Sequence, residues 1–196
     1  MKTESHAKRI GSWRKRLEMI SADPLKGSTH IKRAHKIIVH DGYKTASETV
    51  DDDIALIRLK KEIPSTHSIL DLEDSRQLTL KKDDLVTSLG FGVTKTGFFT
   101  NGTGRGTLRM TAIPLMTYHV LGQKIYLDQR QGSGICYGDS GGPTFTVVNN
   151  KPVLVGIASH VSMDEKTKRR NECHMVSALS NPNYFYGWIE DAKLKI

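Results

Sequence analysis

Ser140 is the residue of this chain whose surroundings best suit covalent chemistry. It lies in residues 134–143, which read G-I-C-Y-G-D-S-G-G-P, so no bulky neighbour crowds its hydroxyl. A serine hydroxyl is a weak nucleophile that needs a base to take its proton and donors to hold the oxyanion formed on the attacked carbonyl. The backbone N–H groups of Gly138 and Ser140 are candidates for those donors. The segment therefore predicts acyl transfer at Ser140, although the same residue types also form ordinary surface turns.

The string G-D-S-G-G-P resembles the nucleophile loop of the chymotrypsin-like (trypsin-fold) serine proteases, and it is far more specific than a lone G-x-S-x-G. In that family the catalytic residues occur along the chain in the order His, Asp, Ser. Residues 53–59, D-I-A-L-I-R-L, resemble the family's D-I-A-L-x-x-L strand, whose first residue orients the catalytic imidazole. The resemblance implies Asp53 as the orienting acid. The alternative is a solvated acidic turn over residues 51–53.

His6 is the histidine whose position along the chain suits the base of such a triad. It lies in residues 3–7, T-E-S-H-A, which resemble the family's T-A-A-H-C but lack both alanines before the histidine and the cysteine after it. The resemblance implies that Ser140 attacks the carbonyl, His6 moves the proton and Asp53 fixes the imidazole tautomer. The alternative for His6 is a polar residue without a catalytic part. His40 resembles a structural histidine of the family instead.

The same resemblance implies a substrate pocket. Gly134 takes the position of the pocket floor, where an aspartate would select Lys or Arg, and Ile135 adds bulk beside it. Ser159, His160 and Val161 end the string G-I-A-S-H-V, which resembles the G-I-V-S-W-G strand that pairs with the substrate backbone and forms a pocket wall. We expect a preference for small or medium uncharged side chains before the cleaved bond, unless an acidic side chain of the following loop enters the pocket.

The chain has two cysteines, Cys136 and Cys173, and the resemblance implies a disulfide between them. That bond would require an oxidising compartment, so a secreted or periplasmic location is expected. Neither the cysteines nor the eight histidines show metal-ligand spacing, so no metal and no cofactor are expected. The expected partners are protein or peptide substrates and protein protease inhibitors.

Composition and turn signals indicate an all-β globular chain, with 37% apolar residues and 17 glycines among its 196 residues. The resemblance implies two antiparallel six-stranded Greek-key barrels, over residues 1–85 and 86–182, with the active site in the cleft between them. Residues 183–196 are predicted to form a C-terminal helix. Strands that the family has ahead of its histidine are not in the sequence, so we expect an incomplete first barrel. We also expect Asp139 to lack the N-terminal amine that pairs with it in the family, leaving the loop poorly ordered.

The formal charge of +8 is concentrated in the first forty residues, and such a block can bind nucleic acid or a membrane surface. Apolar stretches interrupt the block and no nucleic-acid motif accompanies it, so a solvated face is favoured and nucleic acid is not expected as a partner. No apolar run near Met1 indicates a signal peptide or a membrane span. Two other functions remain open: a non-catalytic protease homologue that binds proteins, and a basic protein that binds nucleic acid or a surface.

Overall fold

A computed structural model describes residues 18–23, 28–45, 50–65, 67, 69–97, 100–162 and 172–196. These fall into two compact units, drawn from Met1–Asp41, Ile54–Ser68 and Trp188–Ile196 for the first and from Gly42–Asp53 and Ile69–Gly187 for the second. His6 lies outside the described residues.

The strands in chain order are β1 (Glu18–Asp23), β2 (Ser28–Val39), β3 (Lys44–Thr45), β4 (Val50–Asp51), β5 (Ala55–Leu59), β6 (Leu85–Gly90), β7 (Lys95–Gly97), β8 (Thr100–Thr103), β9 (Arg109–Thr117), β10 (Lys124–Asp128), β11 (Pro143–Val148), β12 (Lys151–Ser162) and β13 (Val176–Ser180). The two α-helices are α1 (Leu72–Arg76) and α2 (Tyr186–Lys193), and a 3-10 turn spans Glu172–His174. Among the described residues, no helix has the length and apolar character needed to cross a membrane.

The first unit contains an antiparallel sheet in the order β1-β2-β5. The apolar run that follows Asp53 forms β5, as predicted, and it pairs with β2 from Ala34 to Val39. The His40 and Trp188 rings pack beside this sheet with their centroids 5.0 Å apart. In the described part of this unit the strands form one sheet, so the first barrel remains a prediction.

The second unit contains a closed antiparallel barrel in the order β10-β13-β12-β11-β6-β9, which confirms the predicted second barrel. Alternate residues of a strand point to opposite faces of the sheet, so every second side chain enters the barrel. Ile125 and Leu127 of β10 are fully buried in this way, as are Ile113 and Leu115 of β9. The mostly β part of the predicted fold is therefore confirmed.

The C-terminal helix begins at Tyr186, three residues later than Asn183, the predicted start. The reason lies in Asn181, which is fully buried and whose amide Nδ2 donates to three main-chain carbonyls of residues 119–122. Its Oδ1 accepts the backbone N–H of Asn183 at 3.0 Å. Because these bonds hold the chain in a turn, helical geometry starts only after Phe185.

Candidate active site

The segment around Ser140 forms a tight turn ahead of β11. The backbone N–H of Asp139 donates to the carbonyl oxygen of Cys136, and that of Gly142 donates to the carbonyl oxygen of Asp139. Gly141 N donates to the carbonyl oxygen of Ala158 in β12 at 2.8 Å. Gly138 and Gly141 have φ values of 96° and 82°, in the left-handed region that favours glycine. The string G-D-S-G-G therefore supplies glycine where the turn requires it, and Ser140 remains exposed.

The turn that carries Ser140 contains backbone N–H groups with and without an acceptor among the described residues. Ser140 Oγ donates to the carbonyl oxygen of Ser159 at 3.4 Å. Within the described ranges, the backbone N–H groups of Gly138 and Ser140 donate to no protein acceptor, unlike those of Asp139, Gly141 and Gly142. These two N–H groups therefore stay candidates for the oxyanion donors.

Asp53 ends the acidic turn that follows β4, and barrel side chains hold both its side chain and its backbone. Asp53 Oδ2 accepts from Ser159 Oγ at 2.6 Å, and the Asp53 carbonyl accepts from Ser180 Oγ at 2.7 Å. The preceding Asp52 accepts from Gln123 Nε2 at 2.6 Å. Asp53 is therefore held by hydrogen bonds and does not lie in a freely solvated acidic turn.

Ser159 of β12 links the two predicted triad residues that the structure describes. Its carbonyl oxygen accepts from Ser140 Oγ, while its own hydroxyl donates to Asp53. The sequence predicted Ser159 as a pocket residue and gave no sign of this link. His6 lies outside the described residues, so its distance from Ser140 stays untested.

Two further cationic or ionisable groups contact the Ser159 hydroxyl. His160 Nδ1 lies 3.2 Å from Ser159 Oγ, and Lys124 Nζ of β10 lies at the same distance. Burial lowers the pKa of the half-buried His160, and the Lys124 charge lowers it further, whereas Asp53 opposes that shift. Sequence reasoning missed Lys124, because nothing in its local sequence sets it apart from a surface lysine.

A cavity of about 170 Å³ opens beside Ser140. Its wall combines the nucleophile loop with β12, and its lining comprises Ile135, Cys136, Tyr137, Ser140, Ala158, Ser159, His160 and Val161. The structure thus brings Ser140 together with four of the five predicted pocket residues. The fifth, Gly134, lines a second cavity of about 240 Å³ together with Asp139.

Asp139 is held by backbone amides. Its Oδ1 accepts from Gly92 N at 2.7 Å and its Oδ2 accepts from Cys136 N at 2.9 Å. A Cβ atom at Gly90 or Gly92 would lie 1.9 Å or 2.5 Å from atoms of this carboxylate, so glycine is required at both positions. Two backbone N–H groups therefore bind the carboxylate, and the expected lack of an N-terminal amine beside it stays a prediction.

Cys136 and Cys173 form a disulfide, as predicted, and the chain has no free cysteine. The fully buried Gln129 braces the same segment. Its Nε2 donates to the carbonyls of Ile135 and Cys173, both at 3.1 Å, and its Oε1 accepts from Ile135 N at 2.7 Å. Sequence reasoning missed Gln129, although it directly follows β10 and continues the alternation of the buried residues Ile125 and Leu127.

Replacing Gln129 by leucine is expected to lower the free energy of unfolding by about 2–4 kcal/mol, because one N–H and two carbonyls are left buried without partners. Urea denaturation followed by fluorescence measures this, with Gln131→Leu as the control at an exposed position two residues away. The control should stay within about 0.5 kcal/mol of the wild type. Equal stability of the two variants would contradict the bracing role.

The structure combines a closed antiparallel barrel with a G-D-S-G-G-P turn that lines a cavity. Comparison of the sequence with protein families identifies the class of protein to which these features belong. The trypsin family matches residues 8–186, most of the chain, so this chain belongs to the trypsin family of serine proteases. The matched range begins two residues after His6.

Relatives with this similarity include insect and mammalian proteins. CLIP domain-containing serine protease B4 of Anopheles gambiae is 32% identical over 135 residues, which are 63% of this chain and 38% of that protein. Chymotrypsin-like elastase family member 1 of Macaca fascicularis and of Homo sapiens are each 28% identical over 148 residues, 69% of this chain and 54% and 56% of theirs. The similarity thus spans about half of the elastases and less of the insect protease.

Proposed function

We propose that this chain carries the catalytic machinery of a serine endopeptidase, with Ser140 as nucleophile, His6 as base and Asp53 as orienting acid. The observation that supports this most directly is the link through Ser159, whose carbonyl and hydroxyl oxygens contact Ser140 and Asp53. Membership of the trypsin family supports the same reaction.

The proposed reaction has two stages. His6 takes the hydroxyl proton as Ser140 Oγ attacks the scissile carbonyl, and it then gives that proton to the leaving amine, so that an acyl-enzyme forms. Water, deprotonated by His6, attacks the acyl-enzyme, and the proton returns to Ser140 as the acid product leaves. The N–H groups of Gly138 and Ser140 bind the oxyanion in both stages.

Labelling by a fluorophosphonate probe tests this function in the full-length protein. Peptide mass spectrometry should find the phosphonyl group on Ser140, and Ser140→Ala should abolish labelling, because the probe reacts with an activated serine hydroxyl. Ser133→Ala, which changes an exposed serine directly before residues 134–143, should label like the wild type. Labelling that survives in Ser140→Ala would exclude this nucleophile, and an unlabelled wild type would favour the non-catalytic, protein-binding homologue.

We further propose a preference for small or medium uncharged residues before the cleaved bond. Ile135, Ala158 and Val161 line the cavity beside Ser140. Two of the relatives carry the name elastase. A hydrophobic pocket discriminates by only about 1–3 kcal/mol per methylene, so the preference should be graded.

A peptide library varied at that residue measures the preference. Ala, Val and Leu should be cleaved faster than Arg and Lys, because the pocket wall offers apolar contact. A control library varied at the residue after the cleaved bond should show a weaker trend. Dominant cleavage after Arg or Lys would mean that a carboxylate enters the pocket, and the assignment would then be wrong.

We propose that the protein is exported and acts on protein or peptide substrates, with protein protease inhibitors as further partners. The Cys136–Cys173 disulfide supports an oxidising compartment.

A further inference from the structure

Lys124 forms a closed hydrogen-bond network with Asp53. Its Nζ lies 3.2 Å from Ser159 Oγ and 3.4 Å from Ser180 Oγ. Each of these hydroxyls gives its one proton to Asp53, the first to the carboxylate and the second to the backbone carbonyl. Because a hydroxyl has only one proton, both serines accept in their other hydrogen bonds, and the Lys124 ammonium group can only donate.

A half-buried ammonium group is costly unless nearby groups compensate for its lost hydration. Burial lowers the pKa of Lys124, and the carboxylates of Asp51, Asp52 and Asp53 raise it. The Lys124 charge is thus offset by the acidic turn that contains the proposed triad acid. His160 of β12 is the titratable group that faces Lys124 from that strand, and the Lys124 charge lowers the pKa of His160.

We propose that Lys124 is a positioning residue of the proposed triad, directing the Ser159 and Ser180 protons at Asp53 and offsetting the negative charge of the acidic turn. This inference rests on the proposed function, because it assigns Lys124 a part only through Asp53. Lys124 does not line the cavity beside Ser140, so its effect should fall on the reaction step and not on substrate binding.

The direction of the effect follows from charge. A positive charge near Asp53 disfavours protonation of an imidazole bound to that carboxylate, so removing it should raise the pKa of the base. Lys124→Met removes the charge and both hydrogen bonds while keeping a similar length. Lys124→Arg restores a cation with donors.

The test measures kcat and KM of these variants across pH in the full-length enzyme. In Lys124→Met the acid limb of the pH profile should move up by at most about one pKa unit. The plateau value of kcat should fall roughly tenfold, the worth of one buried hydrogen bond, with KM unchanged. Lys124→Arg should return the acid limb towards the wild type, and Lys151→Met, at the exposed start of β12, should match the wild type. An unmoved acid limb in Lys124→Met would overturn the inference.

A second measurement needs no activity and no change at Lys124. Heteronuclear NMR of the lysine side chains gives the pKa of Lys124 in the wild type and in Asp53→Asn. Coupling between two sites is reciprocal, so loss of the carboxylate should lower the pKa of Lys124. An unchanged pKa would overturn the network itself. If the Lys124 pKa falls in Asp53→Asn but the wild type is not labelled by the fluorophosphonate, the network stands and the proposed function is contradicted.

Discussion

His6→Ala should lower kcat by about 10⁶-fold, the loss seen when the base of a serine protease triad is removed. At neutral pH the Ser140 hydroxyl keeps its proton, and without the His6 imidazole the proposed triad has no group that takes that proton during attack. Oxyanion binding by Gly138 and Ser140 would leave a residual rate. Steady-state hydrolysis of a peptide amide measures the change.

His35→Ala provides the matched control, because His35 is an exposed histidine of β2. Its kcat should equal that of the wild type. If His6→Ala keeps full activity, the base is another histidine, and His160 is the first to replace. His160 lines the same cavity as Ser140, and its Nδ1 lies 3.2 Å from the hydroxyl that contacts Asp53. If His160→Ala lowers kcat strongly while His6→Ala does not, His160 of β12 is the base.

The second barrel was predicted from the resemblance to the trypsin-fold proteases, and the all-β character from turn signals between apolar runs. Alternation of apolar and polar residues, as at Ile125 and Leu127, follows from the period of two in a half-buried strand. The turn around Ser140 was likewise predictable, because glycine at 138 and 141 meets positive φ values. The start of α2 was not, since the Asn181 side chain that delays it binds carbonyls about sixty residues earlier in the chain.

The parts of the site that were missed depend on contacts between distant segments. Asp53 and Ser159 are 106 residues apart along the chain, and Lys124 is 35 residues from Ser159. No local spacing brings such residues together, because the register of β10, β12 and β13 decides which side chains meet. Gly134 also depends on a contact that its local sequence does not reveal. A Cβ atom at this position would lie 2.2 Å from the Gln129 side chain, which explains why the residue is glycine.

The network around Asp53 has a consequence for how the triad acid should respond to substitution. Serine hydroxyls hold both its carboxylate and its carbonyl, so its position does not depend on the imidazole alone. An asparagine side chain at this position can keep the hydrogen bond to Ser159, because its carbonyl oxygen still accepts a proton. A change at Asp53 should therefore alter charge and imidazole tautomer more than backbone geometry.

Asp53→Asn should lower kcat by about 10⁴-fold, because the amide favours the wrong imidazole tautomer and cannot stabilise the imidazolium that forms during attack. KM should change little, since Asp53 does not line the cavity beside Ser140. Hydrolysis of the same peptide amide measures both constants, and unfolding in urea checks that the variant remains folded. Asp128→Asn is the matched control, because the Asp128 carboxylate pairs with Arg130 at the end of β10 opposite to Lys124. A loss in Asp53→Asn no larger than in that control would exclude Asp53 as the orienting acid and leave it as a structural residue of the acidic turn.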